Sequence, residues 1–162
     1  MLAAAARLVA DAFDGDFSDQ DWEHSLGGMH ATAWDGDELV GHASVVARRM
    51  LHGGRALRCG YVEGLGVRAD HRRHGCASAL MAEMERIVRG GYDLGALAAT
   101  DQAVPLYTGR GWLRWQGTTW TLTPDGLVRT EDEDDAIYVL PLAVPLDLTG
   151  ELACDWRDGD AW

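Results

Sequence analysis

The sequence predicts a mixed α/β (α+β) fold, one domain over residues 1–162 with a central sheet flanked by helices. Three observations point there. A strand-rich stretch from Met29 to Val67 is broken only at Asp35-Gly36 and Gly53-Gly54, the mark of an antiparallel meander. A loop rich in glycine and arginine, a helix and an apolar strand follow, in the order of a βαβ unit. Two more strands close the pattern.

Each element has a local cause. Leu2, Ala5, Ala6, Val9 and Phe13 recur at helical spacing and predict an opening helix to about Phe13. Ser18 with Asp21 forms a capping box for a short helix through Leu26. Met29–Trp34 and Glu38–Met50 pair as a hairpin about Asp35-Gly36, and Ala56–Val67 is the third strand. After the Arg72–Gly75 loop, Cys76–Arg89 is a helix with Leu80, Met84, Ile87 and Val88 inward, stopped by Gly90-Gly91. Leu94–Ala99 is a strand and Ala103–Arg110 a short helix closed by Gly111. Trp112–Thr123 and Ala136–Leu142 are strands, separated by Pro124-Asp125-Gly126 and the acidic run Glu131–Asp135, and the tail ending CDWRDGDAW reads as irregular.

Composition narrows the function. The chain holds 26 acidic and 14 basic residues, a net charge of −12, which argues against nucleic acid as a partner. No apolar run approaches the ~20 residues a membrane span needs. Placement says more than the total. Residues 1–30 hold six acids against one arginine, and residues 121–162 eleven acids against two. The centre, residues 31–120, holds nine acids and eleven arginines. Acidic ends around a slightly basic centre suit two partners of opposite sign.

Every basic residue is arginine, so a lysine Schiff base, a Walker lysine and a lysine general base are all excluded. Cys59, Cys76 and Cys154 are odd in number and widely spaced, so neither a disulfide framework nor a zinc site is expected. Arg7 and Asp11 interrupt the apolar start, which lacks a basic leader, and a cytoplasmic compartment is expected. His71 and His74 have no third ligand nearby, Gly-x-Ser-x-Gly is absent, and the Glu131–Asp135 run lacks the glycine of a calcium loop.

The informative stretch is Val62-Glu63-Gly64-Leu65-Gly66-Val67 and the loop that follows it. A strand with glycines near its end runs into an arginine-bearing loop at a helix start, where unpaired amides and the helix dipole favour an anion. Cys76 sits at that helix start beside arginines, a setting that lowers a thiol pKa, although its expected role is to line the loop. Arg72-x-x-Gly75-x-Ala77 after Val67, followed by Leu106-Tyr107-x-x-x-Gly111-Trp112, resembles the paired motifs of the GCN5-related N-acetyltransferase (GNAT) superfamily. The segments GDFSDQDWEHSLGGMHA, ALRCGYVEGLGVRAD, LGAL and CDWRDGDAW extend the resemblance, from Gly15 to Trp162, to the aminoglycoside 2′-N-acetyltransferases.

That resemblance implies a GNAT fold with splayed strands around acetyl-CoA, no metal, and direct acetyl transfer to an amine in a ternary complex. It implies that Leu65, Gly66 and Val67 hold the acetyl and pantetheine through main-chain groups. Arg72, Arg73, His74, Gly75, Cys76 and Ala77 would hold the pyrophosphate. Glu63 is then the base for the amine, acting through water, and Tyr107 the proton donor to the thiolate. A polycationic aminoglycoside would meet Asp16, Asp21, Glu63, Gly64, Ala98, Asp132, Glu133, Asp160 and Trp162 with its terminal carboxylate. The family also implies a homodimer, a strand ahead of the first helix, and serines where this chain has Ala98-Ala99-Thr100. Another polyamine, a sugar amine or a protein N-terminus stays open as the acceptor, as does a non-catalytic protein that sequesters the drug.

Overall fold

In a computed structural model, which describes residues 1–142 and 144–162, the chain forms two compact units. One comprises Met1–Val46 and Val62–Ile87, the other Ala47–Tyr61 and Val88–Trp162. Two long strands, β2 (Glu38–His52) and β3 (Arg55–Val67), contribute residues to both. No helix among the described residues is long and apolar enough to cross a membrane.

The first unit starts with α1 (Leu2–Ala12), which buries Ala5, Leu8 and Val9. Ala5 and Val9 of the expected face are fully buried, whereas Leu2 is exposed and Leu8 is buried beside them. Asp14 and Gly15 take positive φ (55° and 89°), and Gly15 N–H returns to the Ala10 carbonyl to close the helix end. The capping box forms as expected: Ser18 precedes α2 (Asp19–Ser25), and its backbone N–H and hydroxyl both donate to Asp21 Oδ2 at 2.8 Å.

Strand β1 (Met29–Asp35) pairs antiparallel with β2, His30 opposite Ser44 and Thr32 opposite His42. Seven consecutive residues of β2, Val40–Val46, are buried on both faces. Helix α3 (Cys76–Gly91) buries Leu80, Met81, Met84 and Val88 and continues through Gly90-Gly91 instead of stopping before them. A Cβ on Gly66 would lie 3.2 Å from the Ala12 Cβ and 3.3 Å from the Val9 Cα, so that glycine lets α1 settle on β3.

Together the strands make a nine-stranded sheet in which eight follow the order β5-β8-β4-β3-β2-β9-β6-β7 and β1 pairs with β2. Its further strands are β4 (Leu94–Ala98), β5 (Leu113–Arg114), β6 (Thr119–Thr123), β7 (Gly126–Arg129), β8 (Ile137–Pro141) and β9 (Leu152–Asp155). The sheet is mixed: β3 runs parallel to β4 and β6 parallel to β9, while β4–β8, β5–β8, β2–β9 and β6–β7 are antiparallel.

Two sequence expectations change here. The strand anticipated over Trp112–Thr123 is broken at Gly117, where any Cβ would fall 1.8 Å from the Gly150 carbonyl oxygen. Gln116 and Gly117 N–H groups both turn to the Leu148 carbonyl, so β5 stays with β8 while β6 crosses to β9. The tail expected to be irregular supplies β9, and the turn at Pro124-Asp125-Gly126 opens a further strand, β7. Arg48 and Asp155 tie β2 to β9: the nearly buried guanidinium donates to Asp155 Oδ1 and to its main-chain oxygen, each at 2.8 Å.

Candidate functional site

In the first unit the site residues sit where β3 ends. Gly64 has φ +56°, a left-handed conformation that bends the strand and re-aims the residues on either side. The two carbonyls at the bend are both held from β2. Ser44 Oγ donates to Glu63 O at 3.3 Å, and His42 Nδ1 lies 2.8 Å from Gly64 O. Glu63 is half-buried, Gly66 and Val67 are buried, and Leu65 is half-buried.

The loop beyond β3 is shaped by main-chain geometry more than by free charge. Arg68 is committed to Asp70 and Glu38, at 2.7 Å each. Arg72 donates from Nε to the Val67 carbonyl (3.1 Å) and from Nη2 to Ala12 O (2.9 Å), bracing the loop against the end of α1. Arg73 (φ +64°) and Gly75 (φ +84°) are both left-handed, and Arg72, Arg73, His74 and Gly75 are exposed. The Gly75 carbonyl accepts the N–H of Ala79, so helical bonding begins there. The loop lies at the positive end of a 16-residue helix.

Cys76 departs from expectation. Its sulfur packs towards Gly41 of β2, 2.7 Å from where a Cβ would stand, and burial pushes the thiol pKa up. Inward packing outweighs the helix dipole and the arginines, so the thiolate is disfavoured. Of the acids expected in this unit besides Glu63, Asp16 is exposed beyond α1, and Asp21 gives one oxygen to the α2 cap.

In the second unit Tyr107 lies on α4 (Val104–Thr108), buried, with its ring centroid 6.3 Å from that of Trp112. Burial pushes its phenol up to about 12. Ala98 is exposed at the end of β4, opposite Ile137 of β8. A hollow of about 400 Å³ opens beside Ala99, Asp101, Arg114, Asp135 and Tyr138.

The acidic run divides by role. Asp134 accepts from Arg129, from Thr119 N–H (3.0 Å) and from Thr119 Oγ1 (2.8 Å), and Asp135 pairs with Arg114. Those two are spent on structure. Asp132 and Glu133 sit on a 3-10 turn, Glu131–Glu133, and Glu133 is half-buried. Its carboxyl is raised above the ordinary range by burial first, then by the negative charges of Asp160 and Asp132. Three of the expected substrate acids are thus brought together. Trp162 is 3% exposed, its Nε1 donating to Thr130 Oγ1 at 3.0 Å and its N–H to Asp160 Oδ1 at 3.1 Å. Its main-chain oxygen accepts from Arg157. The ring is therefore packed inside the unit.

Sequence reasoning passed over His30, His42 and Ser44. The available signal was the pair of polar residues in GHASVV, inside a strand otherwise apolar on both faces. Among the described residues no three His, Cys, Asp or Glu side chains group as a metal site.

A model described as an acetyltransferase (GNAT) domain matches residues 2–114. An aminoglycoside 2′-N-acetyltransferase of Mycolicibacterium fortuitum is 53% identical over 162 residues, covering 98% of this chain and 83% of that protein. The GNAT family N-acetyltransferase YhbS of Escherichia coli, solved in complex with CoA, superposes with a TM-score of 0.64 at 18% identity, over 94% of this chain and 83% of that one. A GCN5-related N-acetyltransferase from Kribbella flavida gives 0.62 at 24% identity over 72% of this chain, which spans 31% of that protein's length. At these identities the structural matches speak for the fold.

Proposed function

The chain belongs to the GNAT acetyltransferase family, and from that premise we propose that it acetylates the 2′-amino group of aminoglycosides. The acetyl donor is acetyl-CoA, and transfer is direct, within a ternary complex. The observation that carries the reading is the 53% identity, over 98% of the chain, to a protein of that activity.

The residues present fit the cofactor. Arg73 and Gly75 are left-handed where the loop enters α3, and the start of a helix suits a pyrophosphate. Arg72 braces that loop, and Arg73 and His74 are exposed beside it. Leu65, Gly66 and Val67 offer main-chain groups for the acetyl and pantetheine; Gly66 is glycine because α1 fills the space above it. When bound, acetyl-CoA supplies an activated acetyl thioester.

Glu63 takes the proton from the substrate ammonium, through water, and leaves a free amine as nucleophile. Tyr107 serves the sulfur. Its phenol, pushed up to about 12, stays protonated at neutral pH and donates a hydrogen bond as negative charge develops. A thiol of ordinary pKa ~8.5 is a stronger acid than this phenol, so the departing thiolate completes its protonation from solvent. Asp132, Glu133 and Asp160 form a negative cluster whose mutual repulsion an ammonium group relieves, and Asp16, Asp21, Gly64, Ala98 and the Trp162 main chain complete the proposed substrate contacts.

One domain over residues 1–162, a homodimer and a cytoplasmic location belong to the same proposal, supported by the family's habit and by three unpaired thiols. The test is thiol release from acetyl-CoA with aminoglycosides that bear an amine at the 2′ carbon and with analogues bearing a hydroxyl there. Turnover of the amines alone is expected. Equal turnover of both overturns the regiochemistry, and tight binding without thiol release overturns catalysis.

A further inference from the structure

The bend at Glu63–Gly64 has its own support, built from residues outside the proposed contacts. In β2, His42 and Ser44 are two apart and so lie on one face. His30 pairs with Ser44 across β1–β2 and sits diagonal to His42 on that same face. The three side chains converge. His42 Nε2 lies 2.9 Å from His30 Nδ1, and the Trp22 ring stands 5.2 Å from the His42 ring and 6.2 Å from that of His30.

The protons in this chain can be placed. A carbonyl only accepts, so the 2.8 Å contact to Gly64 O fixes a hydrogen on His42 Nδ1. In the neutral ring Nε2 is then bare and accepts from His30 Nδ1–H. The His42 N–H is thus donated to Gly64 O and the His30 N–H to His42. His42 is 0% exposed, and burial lowers the pKa of both histidines, consistent with neutral rings.

An apolar residue would fill this space without the cost of burying the His42 imidazole. The cost is repaid where a buried carbonyl lacks a partner. A bend at a left-handed residue removes ladder partners, and here the two carbonyls concerned, Glu63 O and Gly64 O, are taken by Ser44 and His42. Gly64 itself is enclosed, since a Cβ there would stand 2.9 Å from Ser25 Oγ and 3.6 Å from the His42 ring.

We propose that His42, oriented by His30, is a positioning residue for the reaction. By holding the Gly64 carbonyl it fixes the bend, and with it the direction of the Glu63 carboxylate. The inference rests on the reading of Glu63 as the base. It assigns His42 no contact with substrate or cofactor.

The test compares Glu63→Gln, His42→Leu, the double variant and His42→Asn, whose amide nitrogen stands in for Nδ1. His42→Leu is expected to lower kcat about tenfold, with the KM for acetyl-CoA within about twofold of wild type. In the Glu63→Gln background it should cost less than about twofold more, because the group it aims is gone. His42→Asn should recover most of the loss. If Glu63→Gln costs nothing, the base reading falls and the proposal with it. If Glu63→Gln is slow but the two losses multiply, or if Asn is as slow as Leu, only the positioning role falls. Nitrogen-15 shifts of the imidazoles in the unmutated enzyme need no variant to fold. They should show His42 protonated at Nδ1 and bare at Nε2; the opposite tautomer overturns the proposal.

Discussion

Gly60 and Gly95 stand opposite one another in the parallel pairing of β3 with β4, and the structure leaves neither room for a side chain. A Cβ on Gly60 would lie 2.8 Å from Val88 and 2.9 Å from the Tyr92 ring; one on Gly95 would lie 2.9 Å from Trp112 and 3.1 Å from Val88. The last turns of α3 rest directly on this pair. Alanine at either position is expected to destabilise the fold by about 1–3 kcal/mol, read from the midpoint of urea unfolding. Unchanged midpoints would show that the helix end shifts freely.

Arg48 and Asp155 predict an asymmetry. The Arg48 side chain is 4% exposed and that of Asp155 is 39% exposed. Asp155→Ala removes the carboxylate bonded to a buried guanidinium and leaves it the main-chain oxygen of the same residue, at a cost of about 3 kcal/mol. Arg48→Met leaves a carboxylate that water reaches, and its apolar stem can pack on Tyr61, over which the guanidinium now sits at 5.0 Å. Thermal unfolding should therefore rank Asp155→Ala below Arg48→Met, and the reverse order would refute the account of this pair.

Glu133 gives a dependence on pH whose sign follows from its environment. Its carboxyl is raised in the fold, so the folded state holds the proton more tightly than the unfolded chain. The stability it contributes is fully present below the ordinary glutamate pKa and is lost as pH rises through the raised value. Glu133→Gln removes that loss, so the variant should be more stable than the parent at neutral pH. It should also raise the aminoglycoside KM about tenfold, since one charge of the proposed polycation site is gone. Denaturant melts at acid and neutral pH, alongside KM, check both halves.

Much of the architecture was legible because its causes are local. Ser18 with Asp21, the Asp35-Gly36 turn and the apolar face of α3 act within a few residues of chain, and each appears where the sequence places it. Gly117 and β9 were not legible, because the break exists only through the approach of Gly150, 33 residues away in sequence. The same holds for the bend at Glu63–Gly64. Its glycines are visible in sequence, but nothing near them announces that His42 supplies the hydrogen bond. Cys76 shows a local rule losing to packing: the helix start favours a thiolate, and the sulfur instead turns inward against Gly41, half-buried.

Tyr107→Phe isolates the hydrogen bond proposed for the sulfur. The ring is buried beside Trp112, so phenylalanine preserves the packing. A fall in kcat of about 10- to 100-fold with little change in either KM is expected from steady-state kinetics. A matching rise in KM would instead assign the hydroxyl to substrate binding.

The proposed reaction is defined by which amine receives the acetyl group. Incubation with acetyl-CoA and an aminoglycoside carrying several primary amines, followed by two-dimensional NMR of the product, measures this directly. The account predicts a single acetamide on the 2′ nitrogen. An acetyl group on any other amine, or a mixture of positions, would contradict it.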